Sequence, residues 1–191
     1  MEQDYYVGRY FVGRLYLREC RLFHVLGTDT SVGSGLHYRC EALEYSSDNS
    51  VSIEYHLIDR ERVLLSHEIT EEQYQRGIEL FYKSLMQIRQ FVTSLKGIPC
   101  DRIQASRAFR LFGQLYFSVH HNPLESHTNC QNLEITPSSI ILRRPWIPSS
   151  LFGVNHIDYE EIDPIEAQKA IKQFELFYAT ISNYINALVK E

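Results

Sequence analysis

The chain has 191 residues, and its 19 basic residues against 24 acidic residues give a net charge of −5. This length suits a single domain over residues 1–191. With 44% hydrophobic and 23% charged residues, the composition excludes a wholly disordered chain. The acidic balance does not favour a general nucleic-acid binder, but it is compatible with one anion held in a local pocket.

The first residues contain neither a basic segment nor an apolar core, so we expect no secretory signal. No apolar run reaches the roughly 20 residues that a membrane-spanning helix needs. The four cysteines stand far apart and form no Cys-x-x-Cys pair. We therefore expect a cytoplasmic protein with reduced thiols and no membrane contact.

Residues 5–69 have the alternation and the turn residues of successive β-strands. The pattern predicts a strand at 10–18 and a strand pair at 36–45 and 51–58, which the polar turn 46–50 joins. Another strand is predicted at 63–69. Gly27-Thr28-Asp29 predicts a loop before the strand pair.

Two helices are predicted, and both have a defined start. Thr70 and Gln73 fit a capping box, and apolar residues at steps of three and four extend this internal helix over about 70–96. The C-terminal helix follows Asp163, has Pro164 at its first position and extends over about 164–189.

The segment between the helices is expected to be rich in strands, at 103–111, 115–121, 133–135 and 140–143. A polar loop is expected at 122–132, and the prolines at 145 and 148 exclude a central strand there. Strands around one internal helix, followed by a C-terminal helix, predict an α+β fold. Its strands would form an antiparallel β-barrel or a strongly curved sheet.

Several segments resemble a known family. Residues 5–12, Tyr-Tyr-Val-Gly-Arg-Tyr-Phe-Val, are similar to the opening of class IV adenylyl cyclases in the CYTH, or triphosphate tunnel, superfamily. Residues 103–107 and 113–121 resemble the family's strand pair around a glycine turn, and 133–135 stands where the family has an acidic strand. The resemblance implies a barrel whose basic lumen residues hold a triphosphate and whose acidic residues hold a divalent metal.

The catalytic motif of that family is degenerate in this chain. The positions of its Glu-x-Glu-x-Lys signature are Phe11, Gly13 and Leu15, and every lysine lies in a predicted helix or near the terminus. Without the metal-binding acids, metal-dependent chemistry loses its main electrostatic support. The departures therefore favour a protein with no catalytic activity and no cofactor.

The resemblance and its departures lead us to expect a noncatalytic module. Its ligand would be an anionic, phosphate-containing molecule, such as a nucleotide or polyphosphate, or else a protein partner, which could be a second copy of the chain. Arg39 and Arg107 would hold the anion, and Glu134 would orient one of them. Equally, these three residues could form a buried ion network in a barrel that serves only as a scaffold.

The alternative is an active metal-dependent triphosphate phosphohydrolase or adenylyl cyclase with a rearranged site that requires Mg²⁺ or Mn²⁺. Its site residues would be Arg14, Arg39, Glu54, Arg107 and Glu134.

Two other residue groups have competing interpretations. His120, His121, His127 and Cys130 are of zinc-ligand types. Adjacent residues on a strand point to opposite faces, however, so a solvated loop is the preferred interpretation. The arginines at positions 9, 14, 18 and 21 could line a single-stranded nucleic-acid surface or pair with acidic neighbours on the strands.

Overall fold

The structure is a computed structural model that describes residues 4–16, 19–31, 35–100, 107–111, 113–120, 127–148 and 159–190. The chain divides into two compact units. Unit 1 comprises Met1–Ser84 and Phe177–Glu191, and unit 2 comprises Leu85–Leu176. None of the helices in the described part of the chain is long and apolar enough to cross a membrane.

In the part of unit 1 that the structure describes, five antiparallel strands form the sheet. They are β1 (Tyr10–Tyr16), β2 (Glu19–Asp29), β3 (His37–Ser46), β4 (Ser50–Asp59) and β5 (His67–Ile69). Their order in the sheet is β5-β1-β2-β3-β4, and each neighbouring pair is antiparallel. The predicted strand pair is therefore confirmed as the hairpin of β3 and β4, with Asn49 of its turn at φ 62°.

Two predictions for unit 1 need correction. The predicted loop at residues 27–29 is the end of β2, where Gly27 pairs with Arg39 after a bulge that keeps this segment in the ladder. The predicted strand at 63–69 is confirmed for its last three residues, which form β5, but its start is wrong, because residues 63 and 64 belong to a short helix, α1 (Arg60–Leu64). The side chain of Asp59 caps α1 by accepting a hydrogen bond from the Arg62 amide at 2.9 Å.

Both predicted long helices are confirmed, as α2 (Glu71–Ser94) and α3 (Pro164–Lys190). The capping box of α2 is formed, since the Thr70 amide donates to Gln73 Oε1 at 2.8 Å and the Gln73 amide donates to Thr70 Oγ1 at 3.2 Å. Asp163 caps α3 by accepting from the Ile165 amide at 2.7 Å. Local hydrogen bonding thus starts each helix at the residue that the sequence predicts.

The register of β3 and β4 defines two faces of the unit 1 sheet, because directly paired residues lie on the same side. The Glu44 face carries the even-numbered residues of both strands, and the Arg39 face carries the odd-numbered ones. Helix α2 packs on the Arg39 face, where the Tyr74 hydroxyl donates to Glu41 Oε2 at 3.0 Å. The Glu44 face holds a core cluster that includes Phe23, Cys40 and Ala42.

The described residues of unit 2 form seven strands. They are β6 (Gly97–Cys100), β7 (Ala108–Leu111), β8 (Gln114–His120), β9 (His127–Ile135), β10 (Ser139–Arg143), β11 (Trp146–Pro148) and β12 (Tyr159–Ile162). Their order is β10-β9-β8-β7-β12-β6, and β11 pairs with β9 beside this path. The two prolines of the 145–148 segment therefore do not interrupt a central strand.

The predicted polar loop at 122–132 is wrong for residues 127–132, which belong to β9, while 122–126 lie outside the described residues. Backbone pairing with β8 and β11 holds this segment in spite of its polar side chains. Buried Asn132 is satisfied there, since its amide donates to the Leu115 carbonyl at 3.3 Å.

The α+β fold with antiparallel strands, an internal helix and a C-terminal helix is confirmed. Among the described residues, β5 does not pair with β4 in unit 1, and β10 does not pair with β6 in unit 2. The strands of each unit therefore form an open sheet.

Candidate functional site

The three predicted site residues of unit 1 do not converge. Arg14 pairs with Cys20, which pairs with Tyr45, so Arg14 and Arg39 share the Arg39 face. Arg39 and Tyr45 are six residues apart on β3, which separates the two arginines by roughly 20 Å along the sheet. Glu54 lies on the opposite side, on the Glu44 face.

The two predicted site residues of unit 2 have separate partners. Arg107 precedes β7, and its Nη1 atom lies 3.4 Å from Glu161 Oε1. Glu134 on β9 accepts a hydrogen bond from Arg143 Nε at 2.7 Å. The structure thus pairs Glu134 with Arg143, whereas the CYTH resemblance predicts that it orients Arg39 or Arg107.

A polar cluster lies on the Glu44 face, and it contains Glu54. Candidate ligand atoms of Glu44, Glu54 and His56 all lie within 4.8 Å of one another. Glu44 also forms an ion pair with Arg21, which is its register partner on β2. Ala42 lies opposite Glu54, and its small side chain leaves room for the longer side chains to meet above it.

The cluster is partly withdrawn from water. The exposed fractions of the side chains are 11% for Arg21, 18% for Glu44 and 21% for His56. Burial by itself would raise the pKa of Glu44, but the approach of His56 and the positive charge of Arg21 outweigh it, so the pKa is lowered. Glu44 is therefore ionised at neutral pH.

The contact between His56 and Glu44 is close but poorly directed. His56 Nε2 lies 3.3 Å from Glu44 Oε2. Both atoms are inaccessible to water, and neither completes a well-directed hydrogen bond within the described residues. Buried polar atoms in this condition are costly unless another group engages them. Glu44 Oε2 is also in ion-pair contact with Arg21, so a ligand that binds here would compete with Arg21 for the carboxylate.

A groove of about 570 Å³ lies around Arg39, at the ends of β2, β3 and β4. Its lining residues are Leu26, Asp29, Arg39, Tyr55, His56 and Leu57. Three of these are apolar residues with large exposed fractions, 75% for Tyr55 and 45% for Leu26 and Leu57. The groove thus combines apolar side chains with one guanidinium group.

The acidic neighbours of Arg39 are engaged by other groups. Asp29 accepts a hydrogen bond from the Ser31 amide at 2.8 Å. Glu41 accepts from the hydroxyls of Tyr55 and Tyr74 at 3.2 and 3.0 Å. Within the described residues, no hydrogen bond or ion pair engages the Arg39 side chain. Ser31 lowers the pKa of Asp29 first, and the charge of Arg39 contributes a smaller part.

For the arginines at positions 9, 14, 18 and 21, the sequence allows either a nucleic-acid surface or ion pairs with acidic neighbours, and the structure shows such pairs for two of them. Arg9 donates to Glu68 at 2.7 Å, and its guanidinium lies 3.6 Å from the centroid of the Tyr5 ring. Arg21 pairs with Glu44, and residue 18 lies outside the described residues. Pairing with acidic neighbours therefore accounts for two members of the series.

Of the predicted zinc-ligand group at 120–130, the structure describes the side chain of Cys130, whereas the side chains of His120 and His127 are not among those that it describes. Cys130 is buried within β9, and residue 121 lies outside the described residues. Burial raises the pKa of the Cys130 thiol to about 11, which disfavours the thiolate that a metal needs.

From the sequence, neither Glu44 nor Arg21 is predicted to join Glu54 and His56 in one site. The spacing of Glu54 and His56, two residues apart on a strand, was a usable signal, because such residues share a face. Glu44 and Arg21 belong to other strands, and only the register brings them to this position.

Comparison with known proteins leaves the chain without a match. No family model matches it, and no curated protein and no solved structure is significantly similar to it. The function of this chain therefore has to be inferred from its own geometry.

Proposed function

We propose that the protein is a noncatalytic, CYTH-like binding module whose Arg39 groove takes an anionic group attached to an apolar moiety. The observation that carries the proposal is the Arg39 guanidinium, which is exposed and without an ion pair among the described residues, in a groove lined by exposed apolar side chains. A volume of about 570 Å³ lies within the usual range of small-ligand sites.

Two kinds of ligand have this chemistry. In a nucleotide, a phosphate would contact Arg39 while the base packs on Tyr55. In an acidic segment of a protein partner, a carboxylate would contact Arg39 while a neighbouring apolar side chain packs against Leu57. Inorganic triphosphate has no apolar part, and three phosphates need several cations. We therefore expect it to bind more weakly than ATP.

Calorimetric titration tests the proposal with three probes: ATP, inorganic triphosphate and an acidic peptide of sequence Leu-Leu-Glu-Glu, with and without Mg²⁺. We expect ATP or the peptide to bind without sustained heat. Arg39→Gln should weaken that binding by about 10- to 100-fold, because a hydrogen bond to a charged group contributes about 1.5–3 kcal/mol.

The matched control is Arg14→Gln, which removes the same charge from the same face of the sheet. Its distance of roughly 20 Å exceeds the screening length of about 8–10 Å at physiological salt, so binding should be unchanged. Absence of binding with all three probes contradicts the proposal, and so does equal binding by the Arg39→Gln variant and the unmodified protein.

The alternative, a metal-dependent enzyme acting on triphosphates, is favoured by one observation: Glu54 belongs to the cluster with Glu44 and His56. Against it, Arg14 and Arg39 lie on the other face of the sheet. Sustained, Mn²⁺-dependent heat with ATP or triphosphate that Glu54→Gln abolishes would support this alternative and exclude the noncatalytic module.

A further inference from the structure

We infer that Glu44, Glu54 and His56 form a binding site for one divalent transition-metal ion of the Zn²⁺ or Mn²⁺ class. The site does not depend on what occupies the groove at Arg39. The three side chains come from two adjacent strands whose register is fixed over their whole length, from the His37–Asp59 pair to the Ser46–Ser50 pair. Their ligand atoms lie within 4.8 Å of one another, so one ion between them needs only small side-chain movements.

The donor set selects the metal. Two carboxylates and one imidazole suit Zn²⁺, Mn²⁺ and neighbouring transition metals, whereas Mg²⁺ and Ca²⁺ are bound through oxygen. His56 Nε2 and Glu44 Oε2 are buried and make no well-directed hydrogen bond among the described residues. An ion bound to both atoms would satisfy them and would leave exposed Glu54 as the ligand closest to solvent.

Arg21 competes with the metal for Glu44. The cluster carries two carboxylate charges and one guanidinium charge, which leaves one net negative charge when His56 is neutral. Because Arg21 is in contact with the Glu44 carboxylate, a metal ion must displace that contact or share the carboxylate. Removal of the Arg21 charge should therefore strengthen metal binding. A cluster with only a structural role would not show this increase in affinity.

The test is a titration of the metal-free full chain with Zn²⁺, Mn²⁺ and Mg²⁺ by calorimetry, with a thermal melt at each metal concentration. We expect one equivalent of Zn²⁺ to bind and to raise the melting temperature, and Mg²⁺ to have no effect at the same concentration. Glu54→Gln and His56→Gln should each weaken Zn²⁺ binding at least about 10-fold. Even the loss of a side chain that only orients a metal ligand typically weakens metal binding by about 10- to 100-fold.

Three further variants make the test specific. Arg21→Gln should bind Zn²⁺ more tightly than the unmodified protein, even if its melting temperature without metal is lower. Glu134→Gln removes a strand carboxylate in unit 2 and should leave Zn²⁺ binding unchanged. Arg39→Gln should also leave it unchanged, which separates this site from the groove that His56 also lines.

Two results would overturn the inference. One is Zn²⁺ binding of equal strength in the unmodified protein and the Glu54→Gln variant, which would locate the ion elsewhere. The other is the absence of any Zn²⁺- or Mn²⁺-dependent change in heat or melting temperature. Glu54 is exposed, so its substitution should leave the fold intact and keep the comparison valid.

Discussion

Replacement of Arg110 should destabilise unit 2 far more than replacement of other paired arginines. Arg110 on β7 donates to the carbonyls of Val92 and Leu95 at 3.0 and 2.9 Å, and it pairs with Glu160 at 2.6 Å. The last turn of α2 contains no basic residue. Arg110 therefore supplies the positive charge and the donors that the carbonyl end of this helix lacks.

The magnitude follows from the contacts. Hydrogen bonds from a charged group contribute about 1.5–3 kcal/mol, and a cation at a helix C-terminus contributes up to about 2 kcal/mol in partly buried geometry. The ion pair with Glu160 adds less than about 1 kcal/mol, because the Glu160 side chain is 43% exposed. Since these contributions overlap, we expect Arg110→Met to lower the free energy of unfolding by about 3 kcal/mol. The melting temperature should fall by about 6–12 °C for a chain of this size.

Urea unfolding followed by tryptophan fluorescence measures the effect, because the single tryptophan of the chain, Trp146, belongs to unit 2. The matched control is Arg143→Met. Arg143 is also a strand arginine in an ion pair, but its side chain is 55% exposed and its partner is Glu134. Its removal should cost less than about 1 kcal/mol. Equal losses in the two variants would refute the assignment of Arg110 as the cap of α2.

Three further predictions concern other parts of the chain. Thr70→Ala should lower stability by about 1 kcal/mol in urea melts through loss of the capping box, whereas Thr93→Ala should have little effect. The pKa of Glu44 is lower in the folded protein than in the unfolded chain, where it is about 4.3. The ionised carboxylate therefore stabilises the fold above about pH 4.3, and this stabilisation is lost as the pH falls through the pKa of the folded protein. The stability difference between the protein and its Glu44→Gln variant should therefore shrink below pH 4. A thiol reagent should modify Cys100 before Cys40, because burial raises the pKa of Cys40 to about 12 while Cys100 is only partly buried.

The controls for these predictions are direct. Equal stability of the Thr70 and Thr93 variants would contradict the role of the capping box. A pH-independent difference for the Glu44 variant would show that its charge does not contribute. Both thiols should react at equal rates in denaturant, and equal rates in the folded protein would contradict the burial of Cys40.

Local patterns in the sequence were sufficient for the elements that depend on neighbouring residues. The start of α2 at Thr70 and the start of α3 after Asp163 were predicted correctly, because a cap is a contact between residues two or three positions apart. The hairpin of β3 and β4 was also predicted, since its turn and its alternation are local. The α+β class follows from the number and spacing of these elements.

Tertiary structure decided the elements whose sequence is short or polar. β6 and β12 have four residues each, too few for a reliable alternation, and they exist through pairing with each other and with β7. The polar start of β9 is a strand because β8 and β11 pair with its backbone. Backbone hydrogen bonds of this kind depend on partners that are distant in the chain.

The same limit applies to the candidate site. The sequence correctly indicated that Arg39 and Glu54 lie on strands, but alternation within a strand does not show which residues of other strands face them. Register brought Glu44 and Arg21 to Glu54 and His56, and it set Arg39 on the opposite face. The sequence by itself therefore determined the helices, the strand pair and the fold class. Which charged side chains lie together in the Glu44, Glu54 and His56 cluster depends on pairing between strands that are distant in the chain, so only the tertiary structure decided it.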